Sequence, residues 1–592
     1  MTYIEMKNLR HEFMEKWTLF AELALFIIIL IILVLKFHLI FLLNIDIDEF
    51  TFLSSIYQYH NGNISNPLFT LHVHFFSWLP LISENEVNQI FAARVFMYLL
   101  GLGSCTFIYL IGRMFFNRIG ALFSVICYLS ISNVIVHGAS FRFDPLCVFF
   151  LMMSLYFSLN EKPSFLPPII SGLSMAVSLM VSLKTIFYLP AFGLIYLSKI
   201  IFNNDRKRIL KKMSVFLFAL IFGFFLIFKV HSITLPHEGI QTAHSFINKI
   251  SPINIIFSKL IPEPGYLRMI FYENLFIWMI WLVGLVMVIY YLISKKNMRV
   301  SKYYLMLPLL IPMLSLLSYK FSYPYFYTFI IPPAVFFSGV LINKLVKDYK
   351  SRGSKVTIVS IFSLILIFFM NFIGHYKIHA FDQTVSQKEI VDVVHKIFPE
   401  PVPYIDRCSM ISSFPNVGLQ MTTWDMEKYT EANRPIMGRI LLKHKPVFIL
   451  ANIVHLDLAF PRGQNGIYEI SPLFEEDFNI LKENFIHHWG TIYVAGKQFY
   501  FDSTKRSQII KKLFIPGIYT LEADDKVMIN GVVYEPGSKI KFEKRTYTIE
   551  PLKLPMTVTL RWGNDLYKPL HEPSDQPIFM GYYLQALGIR SN

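Results

Sequence analysis

The sequence predicts a polytopic α-helical membrane protein with about eleven spans and a soluble C-terminal region. Three observations carry that prediction. The 592 residues are 54% hydrophobic and only 16% charged, where soluble domains carry roughly 25% charge. Apolar runs of about 20 residues recur through the first 374 positions, the length a bilayer core requires of a helix. From about residue 375 the composition changes to that of a soluble domain.

The spans read as 17–43, 88–112, 118–137, 143–159, 166–183, 185–201, 212–230, 273–294, 303–319, 324–345 and 354–374. Lipid offers the backbone no hydrogen bonds, so each must be a helix. The first run is longer than a signal-peptide core and no small-residue cleavage site follows, so it reads as a retained helix. The net charge of +15 does not indicate nucleic-acid binding, because the basic residues cluster between spans. Arg113 and Arg118 flank one loop. Lys199, Arg206, Lys207, Arg208, Lys211 and Lys212 crowd a second. Lys295, Lys296, Arg299 and Lys302 mark a third, and Lys344, Lys347, Lys350, Arg352 and Lys355 a fourth. An odd number of spans with the N-terminus in the cytoplasm puts all four inside, as the positive-inside rule expects, and puts the tail outside.

The outer side then holds a long first loop, 44–87, whose stretches Glu49–His60 and Pro67–Leu79 look like interfacial helices. It also holds the turn before Arg142 and the loop 231–272, interrupted by Pro236, Pro252, Pro262 and Pro264. In the tail, 375–512 mixes helical periodicity with short apolar strands and reads as an α/β domain. Residues 513–592 alternate apolar and polar positions around the turns Asn530-Gly531 and Pro536-Gly537 and read as a β-sandwich-like domain. Cys105, Cys127 and Cys147 lie in apolar spans and Cys408 stands alone in the tail. No zinc spacing or disulfide framework emerges.

Chemistry is sought where charge meets the outer membrane surface, since ionisable groups there are costly. Asp46, Asp48 and Glu49 follow the first span directly. A carboxylate facing a lipid phosphate suits a general base that deprotonates a hydroxyl, though a solvated acidic loop is the plain alternative. Acid clusters also hold divalent metals, which leaves open a site built from Asp48, Asp144, His72 and His74. Arg142 and Asp144 open the fourth span, and arginine grips phosphate through two donors. The alternative is a local ion pair anchoring a helix end. Lys184 is the sole charge between about Phe165 and Leu197. It either binds a lipid phosphate or reaches to the headgroups. Lys320, Tyr323 and Tyr325 sit in an aromatic belt of the kind that marks an interface, and they complete the candidate substrate contacts.

These stretches resemble the GT-C superfamily glycosyltransferases, in particular the protein O-mannosyltransferase and aminoarabinose-transferase branch (glycosyltransferase family 39/83 type). Asp48-Glu49 falls where that family carries its Asp-Glu motif. Ala93-Arg94-Val95 through Tyr109–Phe115 resembles its second span, and this adds Arg94 to the candidate substrate contacts. Arg142-Phe143-Asp144-Pro145-Leu146 resembles the entry to its fourth span. Leu183-Lys184 with Tyr188-Leu189-Pro190 resembles its lysine turn, and Tyr323-Pro324-Tyr325-Phe326 through Pro332-Pro333 its late aromatic–proline span. The resemblance covers roughly 17–345 and departs at Asp46, which gives two aspartates for one role. It implies a GT-C fold and an inverting transfer of a sugar from a polyprenyl-phosphate carrier to a hydroxyl of a protein, lipid or glycan. Asp48 is then the first choice of base and Glu49 the second. Asp144 is a further acid of the site, and Arg142 and Lys184 hold the carrier phosphate. No cofactor is required, with a divalent metal left open. The want of paired cysteines in the tail favours a bacterial inner membrane with the tail in the periplasm, hence undecaprenyl phosphate. A flippase of lipid-linked glycans and a non-catalytic scaffold are the alternatives. Internal repeats and mid-membrane charges would mark a transporter, and neither is evident.

Overall fold

The computed structural model describes residues 3–64, 66–203, 205–236, 260–294, 302–352, 355–459, 473–510, 513–543 and 546–581. Most of the outer loop 231–272 and the basic positions Lys295, Lys296 and Arg299 lie outside the described residues.

Among the described residues, six helices are long and apolar enough to cross a membrane: Lys16–Leu39, Glu86–Phe115, Leu183–Phe202, Arg206–Ile233, Leu275–Ser294 and Val356–His379. Four shorter apolar segments, Arg118–Leu129, Phe143–Leu159, Leu166–Val181 and Lys302–Leu317, account for most of the remaining predicted spans. Two predicted spans are each divided into two α-helices. The run 118–137 is divided into Arg118–Leu129 and Ser132–His137, where Ile131 leaves helical geometry at φ −75, ψ 129. The run 324–345 is divided into Pro324–Ile330 and Phe336–Arg352, around Pro332-Pro333, which cannot supply helix N–H donors. Pro308 and Pro312 act in the same way on Leu307–Leu317, which is wound as a 3-10 helix.

The elements that position the acids are α1 (Tyr3–Leu39), α2 (Ile47–His60), α3 (His72–Phe76), α4 (Glu86–Phe115), α5 (Arg118–Leu129), α6 (Ser132–His137), α7 (Phe143–Leu159), α8 (Leu166–Val181), α9 (Leu189–Phe202) and α10 (Arg206–Ile233). Chain direction sorts the charges. α1 ends, and α4, α7 and α9 begin, at the end that carries Asp48, Arg142 and Lys184. The opposite end carries Arg113, Arg118, Lys199 and the basic start of α10. The Val356–His379 helix leads from the basic end into the tail.

Among the described residues the tail has eleven strands: β1 (Tyr404–Ile405), β2 (Phe448–Leu450), β3 (Phe485–Trp489), β4 (Ile492–Phe501), β5 (Gln508–Ile510), β6 (Gly517–Glu522), β7 (Val527–Ile529), β8 (Val532–Tyr534), β9 (Lys539–Phe542), β10 (Tyr547–Pro551) and β11 (Met556–Trp562). One seven-stranded sheet runs β1-β2-β4-β11-β6-β9 with β3 also on β4, and a four-stranded sheet runs β5-β10-β7-β8. The β7–β8 hairpin turns at Asn530 and Gly531, with φ of 50 and 81, as a two-residue turn with two positive φ angles demands. The expected division at 512/513 is not a break between sheets, because β4 pairs with β11 from Gly496–Arg561 to Phe501–Met556. What does separate is the core. Phe501, Leu521, Ile549 and Val558 belong to a cluster of their own, whereas Val391, Tyr404 and Phe448 are continuous with the buried residues of the membrane region. The α/β part of the tail is thus packed onto the helices.

Candidate active site

The stretch Asp46-Ile47-Asp48-Glu49 is first of all a helix start. Asp46 is the N-cap of α2, with extended backbone at φ −72, ψ 153, and its side chain accepts from the Asp48 N–H at 2.9 Å. The Glu49 carboxylate accepts from the Asp46 N–H at 3.0 Å. This is a reciprocal capping box, a signal that Asp-x-x-Glu carried in the sequence and that the family resemblance overshadowed. It divides the three acids into two that build the helix and one, Asp48, whose side chain is not used in the cap.

Glu49 is 1% exposed and its oxygens are fully engaged. Arg94 donates to Oε2 from Nε at 2.8 Å and to Oε1 from Nη2 at 2.6 Å, and the Phe141 N–H donates to Oε2 at 2.7 Å. Arg94 itself donates to the carbonyls of Ile40, Leu43 and Asn44 at 2.8–2.9 Å. Those carbonyls belong to the chain just beyond α1, so the pair closes the end of α1, fixes α2 and holds the turn before Arg142.

Arg142 lies among the other acids. It is 3% exposed, donates from Nη1 to Asp46 at 3.0 Å, and pairs from Nη2 with Asp48 at 2.5 Å and from Nε with Asp144 at 3.7 Å. Its guanidinium carbon stands 3.5 Å above the Tyr325 ring centroid, a cation–π arrangement. Lys184 Nζ donates to Asp144 at 2.8 Å and lies 4.8 Å from the same ring. Asp48, Asp144, Arg142, Lys184 and Tyr325, predicted from distant parts of the sequence, are therefore neighbours. Asp48 is the most accessible acid, its side chain 33% exposed against 2% for Asp144. Burial raises the Asp46 carboxyl above the ordinary carboxylate range; Arg142 pulls it down, and Asp48 adds to the rise.

The turn that delivers Arg142 tolerates no side chain at Gly138. A Cβ there would strike the Val134 carbonyl and come within 2.6 Å of Lys36 Nζ, and that buried lysine donates to the same carbonyl at 2.5 Å.

Other candidates lie elsewhere. The expected metal set of Asp48, Asp144, His72 and His74 is not assembled. His72 packs edge-on against Phe143 at 4.9 Å, and burial holds its imidazole down to about 4. His74 Nε2 is 2.8 Å from His231 Nδ1. The aspartate oxygens turn toward Arg142 and Lys184, and among the described residues no group of three His, Cys, Asp or Glu is placed to hold an ion. The donor set does not fit a metal. Lys320 faces the tail, with Nζ 2.7 Å from Glu427, and Tyr323 reaches Thr423 at 3.5 Å. Both belong to the junction with the Thr423–Ala432 helix and not to the acid cluster.

The tail also grips the acid loop directly. Gln387 accepts from the Ile45 N–H at 3.0 Å and donates to its carbonyl at 2.8 Å, and the Gln383 side-chain oxygen accepts from the Asn44 N–H at 3.2 Å. Asn44 further bonds Ile578 and Met580. Residues 406–413 cover α2. Ser412 donates to the Phe50 carbonyl and Thr51 to the Cys408 carbonyl, at 3.2 and 3.4 Å. Ser413 and His395 both bond Glu86 at the start of α4. None of these contacts was legible in the sequence, because pairs more than 300 positions apart leave no local pattern.

The fold and the site define the class: a polytopic helical protein with acids and a phosphate-type cation pair at the end of its first helix, under a mixed soluble tail. The family model described as dolichyl-phosphate-mannose-protein mannosyltransferase matches residues 76–233. The archaeal oligosaccharyltransferase AglB from Archaeoglobus fulgidus, in complex with an inhibitory peptide and a dolichol-phosphate, is similar over 94% of this chain and 98% of its own, at 10% identity and a TM-score of 0.50. ArnT from Cupriavidus metallidurans bound to undecaprenyl phosphate is similar over 73% of this chain and 92% of its own, at 13% identity and a TM-score of 0.46. Among curated protein sequences none matches. The chain has the GT-C fold.

Proposed function

We propose that the chain transfers a sugar, with inversion, from a polyprenyl-phosphate carrier to a hydroxyl acceptor at the outer membrane face, with Asp48 as general base. The observation that carries this reading is the division of labour among the acids. Asp46 and Glu49 are used by the capping box and by Arg94, and Asp48 alone combines access with a place beside Arg142, whose other neighbour Asp144 holds Lys184. The acceptor hydroxyl gives its proton to Asp48 as its oxygen attacks the anomeric carbon. The bond from that carbon to the carrier phosphate breaks, and the phosphate leaves with the electron pair. Arg142 and Lys184 receive its added negative charge, held in place by Asp144 and the Tyr325 ring. Preorganised cations aimed at developing charge lower such barriers without reorganisation. No metal enters this scheme.

The matched family, described as dolichyl-phosphate-mannose-protein mannosyltransferase, and the dolichol-phosphate in the AglB complex support the donor class. The acidic end lies opposite the Lys/Arg-rich end, which supports an outward-facing site by the positive-inside rule. The test is to incubate the purified full chain with radiolabelled polyprenyl-phosphate sugars and envelope extract. The expected result is consumption of one donor by the wild type and not by Asp48→Asn. Failure to consume any donor removes the enzyme reading.

A further inference from the structure

The end of the molecule opposite the acid cluster holds a second concentration of buried charge. α7, α8, α9 and α10 meet there around a small, partly open cleft of about 70 Å³, lined by Ser158, Glu161, Lys199, Asp205, Arg208 and Lys212. α7 separates it from Asp144, and its 17 residues put the two sites about 25 Å apart at 1.5 Å per residue.

Lys199 and Lys212 are 6% and 9% exposed. Lys199 Nζ donates to the Ser158 carbonyl at 2.7 Å and Lys212 Nζ to the Lys162 carbonyl. An ammonium has three donors, and each of these meets one acceptor among the described residues. Arg208 Nη2 is buried and has no hydrogen-bond partner among the described residues. Glu161 acts electrostatically on Lys199 and Lys212 but forms its ion pair with Lys302 at 3.2 Å, and Asp205 caps α10 through the Arg208 N–H at 3.2 Å. Lys199, Arg208 and Lys212 thus share two acids that are engaged elsewhere. Incompletely compensated buried cations are costly, and an anion in the cleft compensates them. An arginine fork with two point-charge ammoniums suits a phosphate.

Beside the cleft, Leu197 and Ile201 on α9 and Leu210 on α10 are 49%, 49% and 44% exposed. They form an apolar way out along which acyl chains can lie. We propose that this cleft binds the phosphate of an anionic lipid headgroup at the Lys/Arg-rich membrane face, where basic pockets between helices recognise such lipids. The site is separate from the proposed carrier site and stands whether or not the transfer reading holds.

The experiment is native mass spectrometry of the full chain, delipidated and then titrated with phosphatidylglycerol or phosphatidylcholine. The wild type is expected to retain one phosphatidylglycerol in preference to phosphatidylcholine. Arg208→Gln and Lys212→Met should each weaken retention about fivefold, the effect of one basic charge near the surface. Lys347→Gln, an exposed lysine outside the cleft, should change nothing. Arg208 is half-buried, so its variant remains informative if Lys212→Met fails to fold. Inorganic phosphate is titrated in parallel. Stabilisation by it that Arg208→Gln abolishes, without preferential lipid retention, assigns the site to a soluble phosphate and overturns the lipid source. Equal retention of both lipids, or equal retention by the wild type and both cleft variants, overturns the proposal.

Discussion

Arg94 and Glu49 saturate one another: every N–H of the guanidinium has an acceptor, two of them on Glu49, and the remaining Glu49 acceptor capacity takes the N–H groups of Asp46 and Phe141. A pair so enclosed is structural in effect even though it lies one residue from the proposed base. Removing one partner leaves the other charged and buried, which costs about 3–5 kcal/mol. Glu49→Ala and Arg94→Ala should therefore fall in yield and in melting temperature, together with activity. Arg94→Lys should not restore stability, because an ammonium cannot span five acceptors. Loss of activity in a fully stable Glu49→Ala protein would instead make Glu49 a chemical participant.

Asp46 should separate from Asp48 by what each variant preserves. Asparagine is a good N-cap, so Asp46→Asn should keep α2 and lower the rate moderately by removing one anion from Arg142. Asp46→Ala should lose about 1 kcal/mol of stability as well, measured as a shift in thermal unfolding.

Arg142 and Lys184 should act on the donor. Lys184→Met should weaken carrier-phosphate binding and lower the melting temperature less than Glu49→Ala does, because the buried Asp144 it leaves still has Arg142 Nε at 3.7 Å. Arg142→Lys should lose both the aspartate fork and the stacking on Tyr325, costing about 100-fold or more in kcat/KM, in the range of a lost charge-stabilising donor. Binding of the bare carrier phosphate, followed by tryptophan fluorescence, distinguishes the two.

The docking of the tail should depend on pH. Burial opposes protonation of His395, but the hydrogen bond and charge of Glu86, with Asp392 and Glu84, outweigh it and raise His395 above its ordinary value of 6.5. Protonated His395 therefore stabilises the fold fully below pH 6.5, and the contribution is lost as pH rises through the raised value. The melting-temperature difference between the wild type and His395→Ala should be largest near pH 6 and shrink toward pH 9. A difference that grows with pH would contradict the assignment.

How far the sequence could be read follows from the range of each interaction. The spans were legible because each is a local run of apolar residues, and Asp48, Arg142, Asp144 and Lys184 stood out because charge at span ends is costly. The breaks at Ile131 and Pro332-Pro333 were less visible, since hydropathy does not register backbone geometry. The capping box was readable from Asp46 and Glu49 and shows why two aspartates so close together need not compete. The expectation for Arg94 came from resemblance alone, and its five acceptors lie on segments that meet only in the folded chain. Gln383 and Gln387 could not have been found, because neutral amides in a polar tail carry no mark of a partner some 340 positions away.

The central claim is that Asp48 accepts the proton of the acceptor hydroxyl, and single-turnover transfer by purified Asp48→Asn at saturating carrier tests it most directly. The account predicts a rate at least 100-fold below the wild type, within the 10²–10⁴-fold typical of a general base, with carrier binding and melting temperature nearly unchanged. A rate equal to the wild type under those conditions would contradict it.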